Sequence, residues 1–199
     1  MANQIGEYSS MSPDISIPIE TYRLIIRPYC ANDIIWYHEM SLRNKKHLAR
    51  YESENPIMSI LTTADAEKTI NEFVSLWDER KYRFLGVFLK DTKDFVAQIY
   101  LGKMNGHLLG YEIGYISDVE YEGNGYVTEA MRAIIKELFE KVRIHRIQIE
   151  TDDTNLRSIA VAERCGFVKE GHLRKNKLNP DGTYSGTLFF GLLRDDYLQ

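Results

Sequence analysis

The chain has 199 residues, 44% of them apolar and 27% charged, with a formal charge of −4. That leaves room for one well-buried core and scarcely for two, and gives no basic surplus for a nucleic-acid backbone. No apolar run approaches the roughly twenty residues of a membrane span, and the polar stretch from Met1 to Pro18 carries no secretory signal, which favours a soluble, cytoplasmic protein without membrane or nucleic-acid partners. Cys30 and Cys165 form no C-x-x-C pair and the five histidines have no ligand spacing, so neither a disulfide framework nor a metal site is expected.

Residues 1–14 are Ser- and Asn-rich without period and read as a mobile arm ahead of a domain at 15–199. Apolar residues alternate from Ile15 to Arg27 (Ile15, Ile17, Ile19, then Leu24 and Ile26), a first strand ended by Pro28. Asn32 or Asp33 caps a helix running through Ile34, Tyr37 and Met40 to about Leu42. A second helix follows Thr63, with Ala66, Ile70, Phe73 and Trp77 on one face and Asp65 and Glu67 near its positive end. The period then shortens. Phe84 to Leu89, Phe95 to Met104 and Leu108 to Ile116 read as three antiparallel strands in series, the last two joined by the hairpin signal Asn105-Gly106, with His107 an ordinary hairpin residue.

The stretch Tyr121-Glu122-Gly123-Asn124-Gly125-Tyr126-Val127-Thr128 is a glycine turn running into a helix whose apolar positions include Val127, Met131, Ile134 and Leu138. A helix N-terminus offers unpaired N–H groups and partial positive charge, and two glycines let a pyrophosphate approach the main chain, so the turn is a candidate anion site. The alternative is a plain turn that happens to precede a helix. Val127-Thr128 stands where a P-loop needs Lys-Ser/Thr, which disfavours a nucleoside triphosphate. Ile144 to Glu150 follows as a strand, so a β-α-β crossover is implied and the sheet is mixed.

Asn155 opens a short helix through Ala160 and Arg164, Gly166 ends it, and strands beginning at Phe167 and spanning Thr187 to Leu193 close the chain. Asp152 and Asp153 read as turn formers rather than a catalytic pair. The cluster Lys169, Arg174, Lys175 and Lys177 is a solvated strand or a binding patch. The whole is an α+β fold: one domain, with a central, mixed but mostly antiparallel twisted sheet flanked by helices.

Several motifs in this order and spacing carry a resemblance. Glu112-Ile113-Gly114-Tyr115, the glycine turn continuing as Gly125-Tyr126-Val127-Thr128-Glu129-Ala130, Asn155-Leu156-Arg157-Ser158 and Gly166-Phe167-Val168-Lys169-Glu170-Gly171, with Thr21-Tyr22-Arg23-Leu24 early in the chain, resemble the GNAT superfamily of acetyl-coenzyme A-dependent N-acetyltransferases. The branch they look like is that of the ribosomal-protein N-terminal acetyltransferases. The chain departs from the pattern at Glu120 (usually Gln or Arg), Ala162 (often Tyr), Gly186 (usually Asp) and Phe190 (usually Tyr).

The resemblance implies that acetyl-CoA is the co-substrate, its pyrophosphate lying on Gly123, Asn124, Gly125, Tyr126, Val127 and Thr128. Its pantetheine arm would pair with the main chain near Ile116 to Val119, where a backbone N–H would polarise the thioester, and would meet Asn155, which reads equally as a helix cap. Glu112 is the candidate general base and Ser158 the candidate for stabilising the departing thiolate. The alternatives are a strand-surface or ion-paired carboxylate and a solvent-facing helix serine. The implied acceptor is the α-amine of a protein N-terminus. A polyamine or aminoglycoside is the runner-up; such a cation would want an acidic pocket, for which Glu39, Glu52, Glu54 and Glu79 are available. A catalytically silent acyl-CoA sensor is the alternative from another class, and a homodimer is among the assemblies the resemblance allows.

Overall fold

The computed structural model describes residues 14–79, 82–104, 109–179 and 181–198. The arm read at residues 1–14, except Asp14, and the Asn105-Gly106 turn with His107 lie outside the described residues.

In chain order the elements are β1 (Ile19–Glu20), β2 (Leu24–Pro28), α1 (Ile34–Leu48), α2 (Thr63–Asp78), β3 (Tyr82–Leu89), β4 (Phe95–Lys103), β5 (Gly110–Ser117), α3 (Tyr126–Lys136), β6 (Arg146–Asp152), α4 (Leu156–Arg164), β7 (Val168–Leu178), β8 (Tyr184–Leu193) and α5 (Arg194–Tyr197). Among the described residues the strands form one sheet in the order β1-β2-β3-β4-β5-β6-β8-β7. Every neighbouring pair is antiparallel except β5 with β6, the pair joined through α3. The mixed sheet and the β5-α3-β6 crossover are those expected from the change of period along the chain, and α4 makes a second crossover, from β6 past β8 to β7.

Helices cover both faces of the sheet. On one, Leu24, Ile26, Leu85, Val87, Ile99 and Leu101 share a core with Met131 and Ile134 of α3. On the other, Tyr29, Phe88, Phe95 and Ile116 pack with Tyr37 and Met40 of α1 and Ile70 and Phe73 of α2. β4 lies between these layers, so seven of the eight residues from Phe95 to Gly102 are buried, including Gln98, whose Oε1 accepts from the Tyr29 hydroxyl at 2.9 Å, and the run is mostly apolar rather than alternating. Thr62 and Asp65 cap α2 reciprocally, which fixes its start beside the expected acidic residue.

Two elements differ from the sequence reading. The run from Ile15 to Arg27 is not one strand. It turns at Thr21, whose N–H donates to Leu24 O (3.0 Å) and whose hydroxyl accepts from Leu24 N (2.9 Å), because Thr21 and Arg23 are drawn toward α3. The first helix does not stop near Leu42 but continues to Leu48. Its buried face passes through Asn44, a polar residue that satisfies itself by donating to Met40 O at 3.0 Å, so hydrophobic period alone misses the last turn and a half.

Candidate active site

β5 and β6 pair only over Gly110–Glu112 with Arg146–Gln148. Beyond Glu112, β5 stays with β4 while β6 stays with β8, and a gap opens between the two parallel strands. Strand parity decides which main-chain groups face that gap. Met104 N donates to Gly110 O and Asp118 N to Val96 O, both at 3.0 Å, so the even-numbered residues of β5 direct their N–H and C=O groups to β4. Ile113, Tyr115 and Ser117 turn theirs toward the gap.

This corrects the sequence expectation at two positions. Ile116 presents a side chain to the cleft, while its main chain belongs to β4. The Val119 N–H donates to the buried Asn44 Oδ1 at 2.8 Å and is not available to polarise a thioester. The end of β5 is held by α1 in a second way: Arg43 Nη2 lies 2.6 Å from Asp118 Oδ2, and Asp118 Oδ1 accepts from Glu120 N at 3.0 Å.

The glycine turn follows. Gly123 and Gly125 both sit in the left-handed region, at φ 78° and 77°. A Cβ at Gly123 would meet nothing within 4 Å, and one at Gly125 would meet only Arg23 Nη2 at 3.8 Å, so open space lies in front of both. The first bond within α3 runs from Glu129 N to Gly125 O (3.0 Å), leaving the N–H groups of Tyr126, Val127 and Thr128 without intrahelical acceptors. They line a cavity of about 960 Å³ together with Gly123, Asn124, Gly125 and the cations Arg132, Arg157 and Arg164. Donors, open approach and positive charge fit a pyrophosphate. The turn is fixed from outside: Arg23 Nη1 donates to Asn124 O at 3.1 Å, and its guanidinium stands 4.5 Å over the Tyr126 ring.

Two smaller cavities continue from this one along the gap. The first, of about 470 Å³, lies between the end of α1, Tyr115 to Ser117 and the start of α4. The second, of about 230 Å³, lies between Ile113–Tyr115 and Ile149–Asp152. Tyr51, Glu52, Tyr115, Asn155 and Ser158 line both and form the passage between them.

Ser158 is therefore in the cleft. Its Oγ donates to Tyr115 Oη (3.1 Å), which in turn donates to the Ser158 carbonyl (2.8 Å). Asn155 serves as the helix cap, its Oδ1 accepting from Ser158 N at 3.1 Å, and it faces both cavities as well. Glu112 is exposed on the face of β5 that carries Gly114, one pleat before the smaller cavity and outside its lining. Partial desolvation by the strands beside it, and then the neighbouring Glu150, raise its carboxyl above the ordinary value.

Tyr115 escaped the sequence reading as a site residue, and Glu52 entered it only as one of four glutamates available to an acidic pocket. Tyr115 stood inside a quoted motif, and its odd position in β5 is the signal that could have picked it out. Of Glu39, Glu52, Glu54 and Glu79, only Glu52 lines the cleft cavities. It follows α1 in an irregular segment where no periodicity marks an inward face. Burial raises its carboxyl, an effect only partly offset by the Asn55 side chain and the Lys177 charge. Asp152 holds the strand-to-helix connection through Thr154, and Asp153 ties that connection to His172 of β7.

A gap between parallel strands, leading from a left-handed glycine turn at a helix N-terminus to a half-buried pair of hydroxyls, is a cleft suited to an elongated ligand that carries a pyrophosphate. The family profile described as Acetyltransferase (GNAT) domain matches residues 23–168, and the chain belongs to the GNAT acetyltransferase family.

Among its relatives, the protein named Probable N-acetyltransferase YjcK of Bacillus subtilis is 32% identical over 120 residues, covering 59% of this chain and 66% of that one. A ribosomal protein-alanine N-acetyltransferase of Escherichia coli is 29% identical, covering 57% of this chain and 59% of its own. In both cases the chain spans less than two thirds of the relative's length. Spermidine N(1)-acetyltransferase of Vibrio cholerae is 23% identical over 88% of this chain and 96% of its own. A solved ribosomal α-N-protein acetyltransferase, RimL, in complex with coenzyme A superposes with a TM-score of 0.79, covering 90% of this chain and 98% of that one at 19% identity, a likeness of fold. Among the described residues no helix is long and apolar enough to cross a membrane.

Proposed function

We propose that the protein is an N-acetyltransferase that moves the acetyl group of acetyl-CoA directly to the α-amine of a protein N-terminus. The observation that carries the reading is the continuous cleft from the glycine turn, through the gap between β5 and β6, to the Tyr115–Ser158 pair. Acetyl-CoA, bound there, supplies an acetyl group activated as a thioester. The turn amides from Gly123 to Thr128 hold the pyrophosphate. The N–H and C=O groups of Ile113, Tyr115 and Ser117 face the pantetheine arm, and the hydroxyl pair stands ready to supply a proton to the sulfur.

The choice of an α-amine over a polycation rests on the cleft's carboxylates. Asp152 accepts from Thr154 and Ser185 and has Lys177 4.0 Å away, while Glu122 is paired with His47 (3.0 Å) and Arg157 (2.6 Å). Few acidic groups are left for a spermidine-like ligand. An α-amine with a pKa near 8 is roughly a tenth neutral at pH 7, against less than a thousandth for a lysine near 10.4, so a modest base suffices. The E. coli relative, named for acting on a ribosomal protein's alanine, points the same way. The V. cholerae relative, named for spermidine, marks the competing acceptor.

The test is a competition in which acetyl-CoA is mixed with spermidine and a peptide bearing a free N-terminal Ala or Ser and an internal Lys, and the acetyl group is located by fragmentation mass spectrometry. Label on the peptide α-amine is expected. Label on the lysine, or faster acetylation of spermidine, would overturn the choice of acceptor; no thiol release with any amine would favour a silent acyl-CoA sensor.

A further inference from the structure

We propose that Glu52 takes the proton from the acceptor amine, and that the amine sits in the small cavity between Ile113–Tyr115 and Ile149–Asp152. The inference rests on the N-acetyltransferase reading and names the residue that does its proton chemistry.

Position carries the argument. Glu52 is one of the residues that separate the two cleft cavities, and Tyr115 and Ser158 line the same passage. A carboxylate there faces the acyl carrier's channel on one side and the acceptor's cavity on the other, so one group can reach the nitrogen as it meets the acetyl carbon. The loop holding it is braced across the cleft: Glu52 N donates to Leu48 O at 2.8 Å, and Tyr51 Oη donates to Thr154 O at 3.2 Å.

The other carboxylates are worse placed. Both oxygens of Asp152 are occupied, Oδ1 by Thr154 N and Oγ1 (2.9 and 2.6 Å) and Oδ2 by Ser185 Oγ (2.6 Å). These bonds and the Lys177 charge outweigh its burial and hold its carboxyl below the ordinary value, which makes it a poor base. Glu150 is exposed and accepts from Gln148 Nε2 at 3.1 Å. Glu122 is held by Arg157 and His47 at the opposite end of the larger cavity. Glu112, one pleat back from the lining, would need an intervening water.

The charged and titratable groups around Glu52 come from every wall of the cleft. They are Lys177 of β7, Glu150 and Asp152 of β6, Tyr115 of β5, Arg157 of α4, and His47, Arg50 and Tyr51 at and beyond the end of α1. Burial raises the Glu52 carboxyl above its ordinary value, which makes its carboxylate a stronger base, and the Lys177 charge keeps it from being isolated. The transfer balances as follows. The amine nitrogen forms a bond to the acetyl carbon, the carbon–sulfur bond breaks, the nitrogen's proton passes to the Glu52 carboxylate, and the sulfur gains a proton from the Tyr115–Ser158 hydroxyls.

The experiment compares wild type with Glu52→Gln, Glu112→Gln and the exposed neighbour Glu54→Gln, using an N-terminal Ala peptide and acetyl-CoA. Glu52→Gln is expected to lower kcat roughly a hundredfold, the usual scale for losing a general base, and to remove the more acidic ascending limb of the kcat/KM profile. Its calorimetric affinity for coenzyme A should stay within about twofold of wild type, since no carboxylate contact to the carrier is lost. Glu54→Gln should match wild type.

A readout independent of turnover is the carbon-13 titration of the glutamate carboxyls in the free protein. The resonance that vanishes in Glu52→Gln should titrate above the ordinary glutamate range near 4.3. Turnover of Glu52→Gln within threefold of wild type, a larger loss in Glu112→Gln, or an ordinary Glu52 titration would overturn the assignment. Failure of wild type to acetylate any amine would overturn the function itself, and with it the role.

Discussion

The carboxylate of Glu129, in the first turn of α3, accepts from Arg23 Nε at 2.7 Å, from the Arg23 amide at 3.0 Å and from the Thr21 hydroxyl at 2.6 Å. One acidic side chain thus ties the turn between β1 and β2 to the helix that follows the glycine turn. The same Arg23 reaches past it to the Asn124 carbonyl. Glu129 also lies at the positive end of the α3 dipole, so its charge and its hydrogen bonds act in one direction.

Glu129→Gln should therefore destabilise the protein and loosen the turn. The Arg23 side chain is 39% exposed, so screening limits the ionic part, and a loss of about 1 kcal/mol in urea denaturation is expected, with coenzyme A affinity falling about threefold. The pH dependence has a definite sign. Burial alone would raise the Glu129 carboxyl, but the bonds from Thr21 and Arg23 outweigh it and hold the folded pKa below the ordinary value. Its contribution is then fully present above the unfolded value near 4.3 and is lost as pH falls through the folded value. Wild type and Glu129→Gln should converge in stability below that window. A gap that persists in strong acid would mean that the carboxylate is not the source.

Gly125→Val tests the anion site. At φ 77° a β-branched residue is strained, and its side chain would occupy the open space before the α3 amides. Coenzyme A affinity should fall at least tenfold, about 1.4 kcal/mol, by calorimetry of the folded variant. Unchanged affinity would remove the pyrophosphate from this turn.

Gly186→Ala addresses a departure that the sequence leaves unexplained. A Cβ at Gly186 would overlap Asp153 Oδ2 and would stand 2.6 Å from both His172 Nε2 and the Leu173 carbonyl. The Leu173 carbonyl belongs to the neighbouring strand and cannot swing aside, so the family's usual Asp has no room here. The substitution should cost about 1–3 kcal/mol in chemical denaturation, the scale of overpacking. A neutral result would show that the β7–β8 ladder yields more easily than its packing suggests.

These positions mark what sequence could and could not supply. The glycine turn was legible because a helix start and two φ-permissive residues are local facts, and the strand series was legible from its period. The roles of Ile116 and Val119 were not, because which residues of β5 bond to β4 depends on a register that the chain around them does not encode. Val119 loses its N–H to Asn44, 75 residues earlier, which no local pattern announces. Glu52 was just as hidden: its inward direction comes from how the segment after α1 folds over the gap, and an isolated glutamate in a coil looks like any other. The split of the first strand had the same origin, since Thr21 and Arg23 answer to Glu129 rather than to each other.

Tyr115 and Ser158 yield the last prediction. Each hydroxyl is the other's neighbour, with Ser158 Oγ 3.1 Å from Tyr115 Oη and the phenol also bonded to the Ser158 carbonyl, so under the proposed transfer the sulfur's proton would come from one connected pair. The departing thiol has a pKa near 8.5 by analogy with cysteine, which asks little of the acid, and Tyr115 is buried enough that its own proton is held more tightly than usual. Ser158→Ala and Tyr115→Phe should each lower kcat about tenfold, because either change breaks the link between the two hydroxyls. The double variant separates a shared path from two independent ones. If the pair works as a unit, its loss should be far smaller than the product of the single losses, whereas independent roles predict about a hundredfold. Coenzyme A affinity measured on the same proteins guards against a packing artefact, since Tyr115 also lines the channel. Multiplicative losses with unchanged affinity would show that the two hydroxyls act on different atoms, and that Ser158 alone serves the sulfur.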